Sequence, residues 1–521
     1  SYFKKEPSNS QDIQNNAAFD TCPICHTSLN EGLIVEAELH INSCLDSVTS
    51  TDGKDINTKA ADQPNLIKSW ATLFSTATHT IRGIWSSPKD DKAPGLLETE
   101  SSWWFGEQKK GCQVPYYKRL AGTTMVVDAF SFGDIPGCEG YFLSHFHADH
   151  YTGLDRNWTH GPIYCSEVTA RLVKRKLGVT EDFIYALPLD EPCLLPGMDQ
   201  LFVTLIDANH CPGAVIFLVT VGKLRYLHTG DFRACPKICL HPLLKEPIDI
   251  VYLDTTYLDP KYSFPSQDSC IQSACQLAKR HSTRYSDPLL EEGKSIISAS
   301  NACQQEHRLL IVVGTYSLGK ERIFIEIAKA LNSKIFVTEQ KRHMLDCFHD
   351  SELNAMLTDE QKEAQVHVIP IGHLVPNNLE AYLSSLEPHF SQMIALKPTG
   401  WTFQASSDPK TKSQQEKRSL ETIIKARPPD LVATSLKPFY DTSRLKMYDI
   451  PYSEHSSFRE LAMFIASLDI RRIVPTVNVH SEENLSRMSK LFEEWNRDKK
   501  KLIKANGGSI KIVDYPSINY W

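Results

Sequence analysis

Short apolar runs, each closed by a polar or charged residue, recur through the first half of the chain. Runs of this kind, bounded by glycine, aspartate or histidine, are typical of buried β-strands. We therefore predict strands at residues 123–128, 140–143, 201–206, 215–219, 223–227 and 248–253. The runs at 215–219 and 223–227 are close enough to pair as a hairpin, and a helix is predicted at 166–176.

The pattern changes near residue 260, where helical periodicity begins to alternate with apolar strands. Strands are predicted at residues 308–313, 335–338 and 366–370, and a helix at 320–331. A charged loop is predicted at 406–418, and a strand at 473–479 and a helix at 483–496 follow later. Because helices and strands alternate here, we predict a second α/β unit after residue 260.

The amino-terminal part of the chain is more polar. Residues 1–20 predict a disordered lead-in, and residues 47–100 predict a linker. Between them, the spacing Cys-x2-Cys and His-x3-Cys is that of a structural zinc site, and its four ligands would be Cys22, Cys25, His40 and Cys44. Few apolar residues surround these positions, so bound zinc would supply the folding energy of residues 21–46.

The composition is that of a globular protein, with 41% hydrophobic and 23% charged residues in a chain of 521. This length predicts about three domains. The fourteen cysteines are scattered, which favours thiols and metal ligands over a disulfide framework. The net charge of −7 does not indicate nucleic-acid binding, so any contact with a polyanion would depend on local basic patches such as 174–176 or 499–501.

The sequence also bears on the cellular compartment. No apolar stretch reaches the roughly 18 residues of a membrane span. The chain starts at Ser1 with neither an initiator methionine nor an apolar signal segment. We therefore expect a fragment or processed form of a soluble intracellular protein.

Candidate metal ligands are concentrated at residues 144–150, Ser-His-Phe-His-Ala-Asp-His, directly after the apolar run 140–143. Neutral imidazoles and carboxylates are the ligands that zinc and related divalent metals prefer. Other predicted strands end in similar residues, and one more candidate follows late in the chain. The full set is Asp128, His145, His147, Asp149, His150, His210, Asp231, Asp254 and His455. Because strand ends can converge at one sheet edge, we predict a single metal site built from them.

Together these motifs resemble those of the metallo-β-lactamase superfamily, and the motifs at Asp254, His455 and residues 397–401 are similar to those of its β-CASP nucleases. Over about residues 101–515 the chain resembles the DNA cross-link repair exonucleases, relatives of Artemis. The resemblance implies an α/β fold, with an αββα sandwich from residues 101–260 and 446–521 that is interrupted by a β-CASP domain at 261–445. Residues 21–46 resemble the ββα ubiquitin-binding zinc fingers, with Asn42 in place of their usual aspartate.

The resemblance also implies roles for the site residues. His145, His147 and His210 would hold one metal ion, Asp149, His150 and His455 a second, and Asp231 would bridge the two. Asp128 and Asp254 would orient histidine ligands, and Asp149 would receive or orient a proton of the attacking water. Candidates for binding a terminal 5′-phosphate are Lys397, Thr399, Ser456, Ser457 and Lys320. Ser456 and Ser457 precede an apolar helix and could equally cap it.

The implied function is a metal-dependent 5′ to 3′ DNA exonuclease that acts on 5′-phosphate ends in interstrand cross-link repair in the nucleus. Imidazole-rich ligation favours zinc, with magnesium or manganese as the alternative at the second position. DNA, single-stranded or cross-linked, would be the substrate, and ubiquitin or ubiquitinated repair factors are candidate partners of the finger. We expect a monomer without membrane contact.

Several alternatives stay open. Val479 lies where DNA-cleaving relatives have valine and RNA-cleaving relatives have histidine, but His480 follows it, which keeps an RNA-processing β-CASP endonuclease open. Strand alternation would place His480 on the face opposite Val479. A structure-specific DNA endonuclease of the Artemis type is a second alternative. A small-molecule hydrolase is disfavoured by the large insertion, and a non-enzymatic scaffold by the complete ligand set.

Residues 314–320, Gly-Thr-Tyr-Ser-Leu-Gly-Lys, have the spacing of a phosphate-binding P-loop. Glu321 stands where such a loop needs Ser or Thr to bind Mg²⁺, and its carboxylate would repel phosphate. We therefore interpret this segment as an interdomain turn, with Lys320 near the path of the DNA.

Overall fold

The computed structural model describes residues 114–198, 200–286, 308–400 and 419–508, together with residues 513 and 515. Four predicted segments lie outside these residues: the lead-in at 1–20, the zinc finger with Cys22, Cys25, His40 and Cys44, the whole linker at 47–100 and the charged loop at 406–418.

The strands of the described residues fall into three sheets. In chain order the strands are β1 (Met125–Val127), β2 (Gly140–Phe142), β3 (Ile163–Ser166), β4 (Ile184–Leu187), β5 (Cys193–Leu194), β6 (Leu201–Asp207), β7 (Val215–Val221), β8 (Leu224–His228), β9 (Ile248–Leu253), β10 (Arg308–Thr315), β11 (Lys334–Val337), β12 (Leu357–Thr358), β13 (Ala364–Pro370), β14 (Phe390–Pro398), β15 (Tyr440–Asp441), β16 (Leu445–Ile450) and β17 (Ile470–Pro475).

The helices of the described residues lie between these strands and after them. In chain order they are α1 (Ala148–Tyr151), α2 (Glu167–Leu172), α3 (Pro236–Cys239), α4 (Gln267–Ser286), α5 (Glu321–Leu331), α6 (Glu339–Leu345), α7 (Ser351–Met356), α8 (Pro376–Ser385), α9 (Leu420–Lys425), α10 (Phe458–Ser467) and α11 (Glu482–Ala505).

Two of the sheets pack face to face as a sandwich. The first has the order β1-β2-β3-β4 and is parallel throughout, and the second has the order β17-β9-β8-β7-β6-β5. Alternate residues of both sheets fill the space between them, and the rings of Phe142 and Phe217 lie 4.7 Å apart there. Helices α10 and α11 share a second buried cluster with the outer face of the six-stranded sheet, where Phe464 meets Phe232.

The third sheet is built by the chain between β9 and β17. Its order is β12-β11-β13-β10-β14-β16-β15, and every pair is parallel except β15 with β16. Helices α4 and α5 share a buried cluster with one face of this sheet, and α8 shares another with the opposite face. The chain then returns to place β17 beside β9 in parallel. The described residues therefore form a mixed α/β structure in which one α/β unit is inserted into another.

Most of the predicted elements are confirmed. Strand β9 has the predicted bounds, the predicted hairpin is the antiparallel pair β7 and β8, and helix α5 begins one residue later than predicted. Helix α11 continues nine residues beyond the predicted end at 496, to Ala505. The described helices include none that is long and apolar enough to cross a membrane.

The predicted strand at 473–479 was wrong in its bounds. Strand β17 ends at Pro475, and Asn478 adopts a left-handed conformation (φ 62°) that turns the chain away from the sheet. The side chain of Thr255 donates to the carbonyl of Val477 and fixes this turn. Val479 is buried and His480 is exposed. Both residues lie beyond the end of β17, so strand alternation is not the reason that they face different surroundings.

His367, in the centre of the inserted sheet, makes stability depend on pH. Its side chain is fully buried, with Nδ1 2.8 Å from the Tyr382 hydroxyl and Nε2 2.8 Å from the Gln361 carbonyl. Burial lowers the pKa of His367 to about 4. The unfolded chain, with an ordinary pKa of about 6.5, therefore binds more protons between these values, and stability falls as the pH drops from about 6.5 to 4.

We expect this dependence to disappear in His367→Gln. The difference in unfolding free energy between wild type and variant should shrink by up to about 1.4 kcal/mol per pH unit below about pH 6.5. Urea unfolding at pH 7, 6 and 5 in the presence of a chelator measures it, with His343→Gln, at an exposed position on α6, as the control. Parallel pH curves for wild type and His367→Gln would contradict the assignment.

Candidate metal centre

Candidate ligands from six segments meet at one edge of the sandwich. Asp128 follows β1, the 144–150 loop follows β2, and His210 lies in the turn between β6 and β7. Asp231 follows β8, Asp254 follows β9, and His455 lies between β16 and α10. The side chains that the sequence predicted to converge at strand ends are thus brought together by both halves of the chain.

The first group is made of three imidazoles. His145 Nε2 lies 2.9 Å from His147 Nδ1, which lies 3.2 Å from His210 Nε2. Burial and the neighbouring histidines lower the pKa of His145 and His210 well below the ordinary value. Both rings are therefore neutral, which is the form that binds metals.

Asp231 lies at the centre of the site. Its Oδ2 atom is 3.4 Å from Nε2 of His150 and between 3.7 and 3.9 Å from Nε2 of the histidines in a surrounding ring. Those histidines are His145, His210 and His455. A single carboxylate oxygen is therefore shared by ligand atoms on both sides of the site.

The second group contains His150 and His455, each of which faces carboxylates on two sides. His150 Nδ1 lies 2.7 Å from Asp128 Oδ2, and His455 Nδ1 lies 2.9 Å from Asp254 Oδ2. Burial opposes the charged form, but Asp231 and the other nearby carboxylates outweigh it and raise the pKa of His150 well above the ordinary value. Asp254 and Asp231 likewise raise the pKa of His455 to about 9.

The remaining ring nitrogens are also occupied, and their partners fix how each imidazole points. Ser144 connects Asp128 to His145. Its hydroxyl donates to Asp128 Oδ2 and lies 2.9 Å from His145 Nδ1. His210 Nδ1 donates to the carbonyl of Glu454 (2.9 Å), and His147 Nε2 lies 3.3 Å from the carbonyl of Leu318. Such outer partners orient metal-binding histidines.

This donor set fits a divalent metal. Three groups place ligand atoms within 4.8 Å of one another, and each combines neutral imidazole with imidazole, carboxylate or thiol. The groups are His145, His147, His210 and Cys211; His145, His150 and Asp231; and His210, Asp231 and His455. Nitrogen and oxygen donors in this mixture suit zinc, manganese and iron better than calcium.

Asp149 and the phosphate candidates occupy different surroundings. Asp149 is exposed, with Oδ2 3.4 Å from His150 Nε2. Lys397 is exposed on β14, and Thr399 is buried just after it. Ser456, Ser457 and Lys320 are buried and use their polar atoms within the protein.

Ser456 and Ser457 both use their hydroxyls in hydrogen bonds within the protein. The Ser457 side chain accepts from the Glu460 amide as the N-cap of α10, and Glu460 accepts from the Ser457 amide in return. The Ser456 hydroxyl donates to Phe232 O and accepts from Ala234 N. The capping alternative that the sequence left open therefore describes the geometry of Ser457.

Sequence reasoning missed Ser144, Cys211, Glu454 and the carbonyl of Leu318. Ser144, Cys211 and Glu454 are each adjacent in sequence to a predicted histidine ligand, and this adjacency was a usable signal. Leu318 approaches His147 from the inserted unit, and no local pattern indicates a contact between residues so far apart in sequence.

Gly230 sets the approach of Asp231 to the site. Its φ of 53° favours glycine, and a Cβ there would lie 2.7 Å from Cβ of Ser144. We expect Gly230→Ala to lower the unfolding free energy by about 1–3 kcal/mol, because a left-handed alanine is strained and Ser144 must move.

Urea unfolding tests this prediction, and Gly222→Ala is the matched control. Gly222 has nearly the same φ, 57°, but the nearest atom to its added Cβ is 3.8 Å away. The control isolates the backbone strain, so equal losses in the two variants would rule out the Ser144 clash.

Comparison with known proteins places these features in a family. The family model described as DNA repair metallo-beta-lactamase matches residues 351–481. The DNA cross-link repair protein pso2/snm1 of Schizosaccharomyces pombe is 38% identical over 92% of this chain and 79% of its own length. The human DNA cross-link repair 1A protein is 38% identical over 76% of this chain. The 5′ exonuclease Apollo of Danio rerio is 28% identical over 69% of this chain.

The relatives differ in how much of their length is shared. The chain spans 33% of the human protein and 52% of the zebrafish protein, compared with 79% of the fission yeast protein. With that coverage and identity, and with a match to the DNA-repair domain that includes His455, the chain belongs to the metallo-β-lactamase family of DNA cross-link repair proteins.

Proposed function

We propose that this chain is a metal-dependent nuclease that hydrolyses DNA from a 5′-phosphate end in the 5′ to 3′ direction, during interstrand cross-link repair in the nucleus. The observation that carries the proposal is the position of Asp231, whose Oδ2 lies within 3.9 Å of four imidazole nitrogens. The names of the fission yeast and human relatives support a repair role, and that of the zebrafish relative supports 5′ exonuclease activity.

The ligand assignment follows the two sides of Asp231. One ion would be held by His145, His147 and His210, a second by Asp149, His150 and His455, and Asp231 would contact both. Imidazole-rich coordination favours zinc in the first position, and the additional carboxylate of Asp149 makes magnesium or manganese an alternative in the second. Asp128 and Asp254 would act as positioning residues through His150 and His455.

A phosphodiester is anionic, so its hydrolysis requires neutralisation of charge and an activated water. A divalent metal bound here would supply a Lewis acid and lower the pKa of water from about 15.7 to about 7. The hydrogen bonds of Asp128, Ser144 and Asp254 hold the imidazoles in place before substrate arrives. Asp149 is exposed beside His150, and in this proposal its carboxylate takes or orients the proton of the attacking water.

The inserted unit would be the β-CASP domain, over residues 261–445, with metallo-β-lactamase segments at 101–260 and 446–521. Val479 at the family's discriminating position supports DNA as the substrate over RNA. Several features stay predictions. These are a zinc finger at 21–46 with one structural zinc, a linker at 47–100, binding of ubiquitin or ubiquitinated factors by the finger, and a monomeric state.

The terminal phosphate would bind near Lys397 and Thr399. The chain just after Thr399 passes close to the site. A Cβ added at Gly400 would lie 2.9 Å from the hydroxyl of Tyr257, and the ring of Tyr257 lies 5.9 Å from that of His455. Lys397 is exposed and can reach an anion. Ser456, Ser457 and Lys320 would then support the pocket from behind.

Digestion of labelled single-stranded DNA tests the proposal. Wild type should degrade a 5′-phosphorylated strand from its 5′ end in a ladder and should act more weakly on the same strand with a 5′-hydroxyl. Asp149→Ala should not cleave, and Lys397→Ala should reduce the preference for the 5′-phosphate. Lys446→Ala, on the neighbouring strand β16, is the control for loss of a lysine.

The substrate controls separate the alternatives. Equal or faster cleavage of RNA of the same sequence would favour the RNA-processing endonuclease. Internal cleavage of DNA hairpins without laddering would favour the Artemis-type endonuclease. Absence of cleavage of any strand, with metal confirmed bound, would overturn the nuclease proposal.

A further inference from the structure

The loop of residues 314–320, whose first two residues end β10 and which leads into α5, binds a carboxylate of the other unit. The amide of Lys320 donates to Glu454 Oε1 at 2.6 Å, and the Lys320 ammonium lies 3.5 Å from Glu454 Oε2. Both side chains are buried, and the ammonium also lies over the rings of Tyr316 and Tyr452. The loop with P-loop spacing thus binds an anion, but the anion is part of the protein.

A second buried ion pair braces the loop from inside the inserted unit. The Lys341 ammonium donates to Glu321 Oε1 at 2.8 Å and to the carbonyls of Tyr316 and Ser317. Glu321 Oε1 in turn accepts from the amide of Gly319. Glu321, which stands where a P-loop would need Ser or Thr, therefore fixes the loop conformation in which the Lys320 amide points at Glu454.

The loop and its bound carboxylate reach the metal centre at two points. The carbonyl of Glu454 accepts the hydrogen bond of His210 Nδ1, and His455 is the next residue. The carbonyl of Leu318 lies 3.3 Å from His147 Nε2. Two of the three imidazoles in the first ligand group are thus oriented by atoms that this loop supplies or holds.

The energetics of buried ion pairs indicate that the Lys320–Glu454 pair fixes the position of these segments more than it stabilises the fold. Two charges removed from water lose hydration that their attraction scarcely repays, so a buried ion pair is a weak source of stability. What it provides is a defined relative position, because an unpaired buried charge is costly in every other arrangement. A pair placed one residue from His455 defines the position of a ligand segment.

We propose that the 314–320 loop is a positioning clamp for the metal centre, in which Lys320 captures Glu454 and thereby holds His147 and His210 in the orientation that binds metal. Lys320 is accordingly a positioning residue rather than a contact to substrate phosphate. The same occupancy argues against nucleotide binding by this loop, since Glu454 fills the position that an anion would take. The inference rests on the proposed metal centre and adds its dependence on the inserted unit.

Metal affinity tests the clamp independently of catalysis. In the full chain carrying Cys22→Ser and Cys25→Ser, which remove two ligands of the predicted zinc finger, Zn²⁺ affinity is measured by competition with a chromophoric chelator. The chains compared have no further change, Lys320→Met, Glu454→Gln or both. Loss of an outer partner of ligating histidines typically weakens metal binding by about 10–100-fold. We expect each single variant to fall in that range and the double variant to be no weaker than the weaker single, because both changes break one pair.

Controls separate the clamp from general destabilisation. Lys499→Met also removes a buried lysine, one that donates to the carbonyls of Ile465 and Leu468, and should leave metal affinity unchanged. Gly319→Ala keeps every charge but places a Cβ 2.8 Å from Glu454 Oε2, so it should weaken metal binding even if Lys320→Met does not fold.

The outcomes decide between the two proposals. Affinities within twofold of wild type in the Lys320 and Gly319 variants, or additive losses in the double variant, would overturn the clamp. If Asp231→Asn lost metal in the same assay, the metal centre would still stand. If Asp231→Asn kept full affinity as well, the proposed metal centre itself would fail.

Discussion

Asp231→Asn is expected to lower the proposed nuclease activity by roughly 10³-fold, because it removes a charge that both ligand groups share. A metal site supplies several kcal/mol of transition-state stabilisation, and about 1.4 kcal/mol corresponds to a factor of ten in rate. Asp231 Oδ2 lies within 3.9 Å of a ring nitrogen of His145, His150, His210 and His455. An amide in its place removes the negative charge that both ligand groups share.

The measurement pairs initial rates on 5′-phosphorylated DNA with metal content after dialysis. Both should fall together, and added metal should restore little activity. Asp190→Asn is the matched control, because it makes the same change in an exposed carboxylate that pairs with His241. Asp231→Asn with wild-type activity would mean that the shared oxygen has no part in the chemistry.

Glu460→Ala is expected to lower the unfolding free energy by about 3–5 kcal/mol, because it leaves the buried Arg233 guanidinium without its counter-charge. Arg233 is 1% exposed and donates to both oxygens of Glu460 at 2.9–3.2 Å. Glu460 also accepts from the Ser457 amide at the start of α10, so the substitution removes a helix cap as well.

Chemical unfolding at fixed metal concentration measures this loss. Arg471→Ala is the control, since its bond to Asp249 is exposed and an exposed pair contributes at most about 1 kcal/mol. The double variant Arg233→Met/Glu460→Leu should be less destabilised than the sum of the two single variants, because an apolar pair leaves no buried charge. A loss below 1 kcal/mol in Glu460→Ala would show that the pair is not buried in solution.

The Arg233–Glu460 pair also connects two segments that hold candidate metal ligands. Arg233 lies two residues after Asp231, and its Nη1 donates to the carbonyl of Ser453, two residues before His455. Its Nη2 also donates to the carbonyl of Pro265. Unfolding and loss of metal in Glu460→Ala should therefore appear at the same denaturant concentration.

The residues that the sequence indicated as candidate ligands lie together in the structure because the relevant signals are local. Apolar runs that end in Asp or His mark strand ends, and parallel neighbours such as β8 and β9 then bring Asp231 and Asp254 to one edge. His455 could be assigned to the site from its resemblance to a known motif. The bounds of β17 were wrong because the apolar pattern continues past Pro475, while the left-handed Asn478 ends the strand.

What could not be predicted depends on contacts between distant parts of the chain. The sequence pattern placed Lys320 in an interdomain turn near the path of the DNA and indicated no role for Lys341, yet Lys320, Glu321 and Lys341 are all buried and paired. Charge patterns in a sequence indicate surface by default, because isolated ionised groups avoid burial. Their partners become visible only in the fold, which brings Lys320 beside Glu454 and Lys341 beside Glu321.

The position of β17 has a consequence for how the chain folds as it is synthesised. Strand β9 is the edge of its sheet until β17 pairs with it, and β17 follows the whole inserted unit in sequence. An open parallel edge of apolar residues is prone to pair with other chains, and contacts of such long sequence separation form slowly. The emerging chain therefore leaves β9 without its edge partner throughout translation of the inserted unit, and we expect chaperones to bind the nascent protein mainly in this interval.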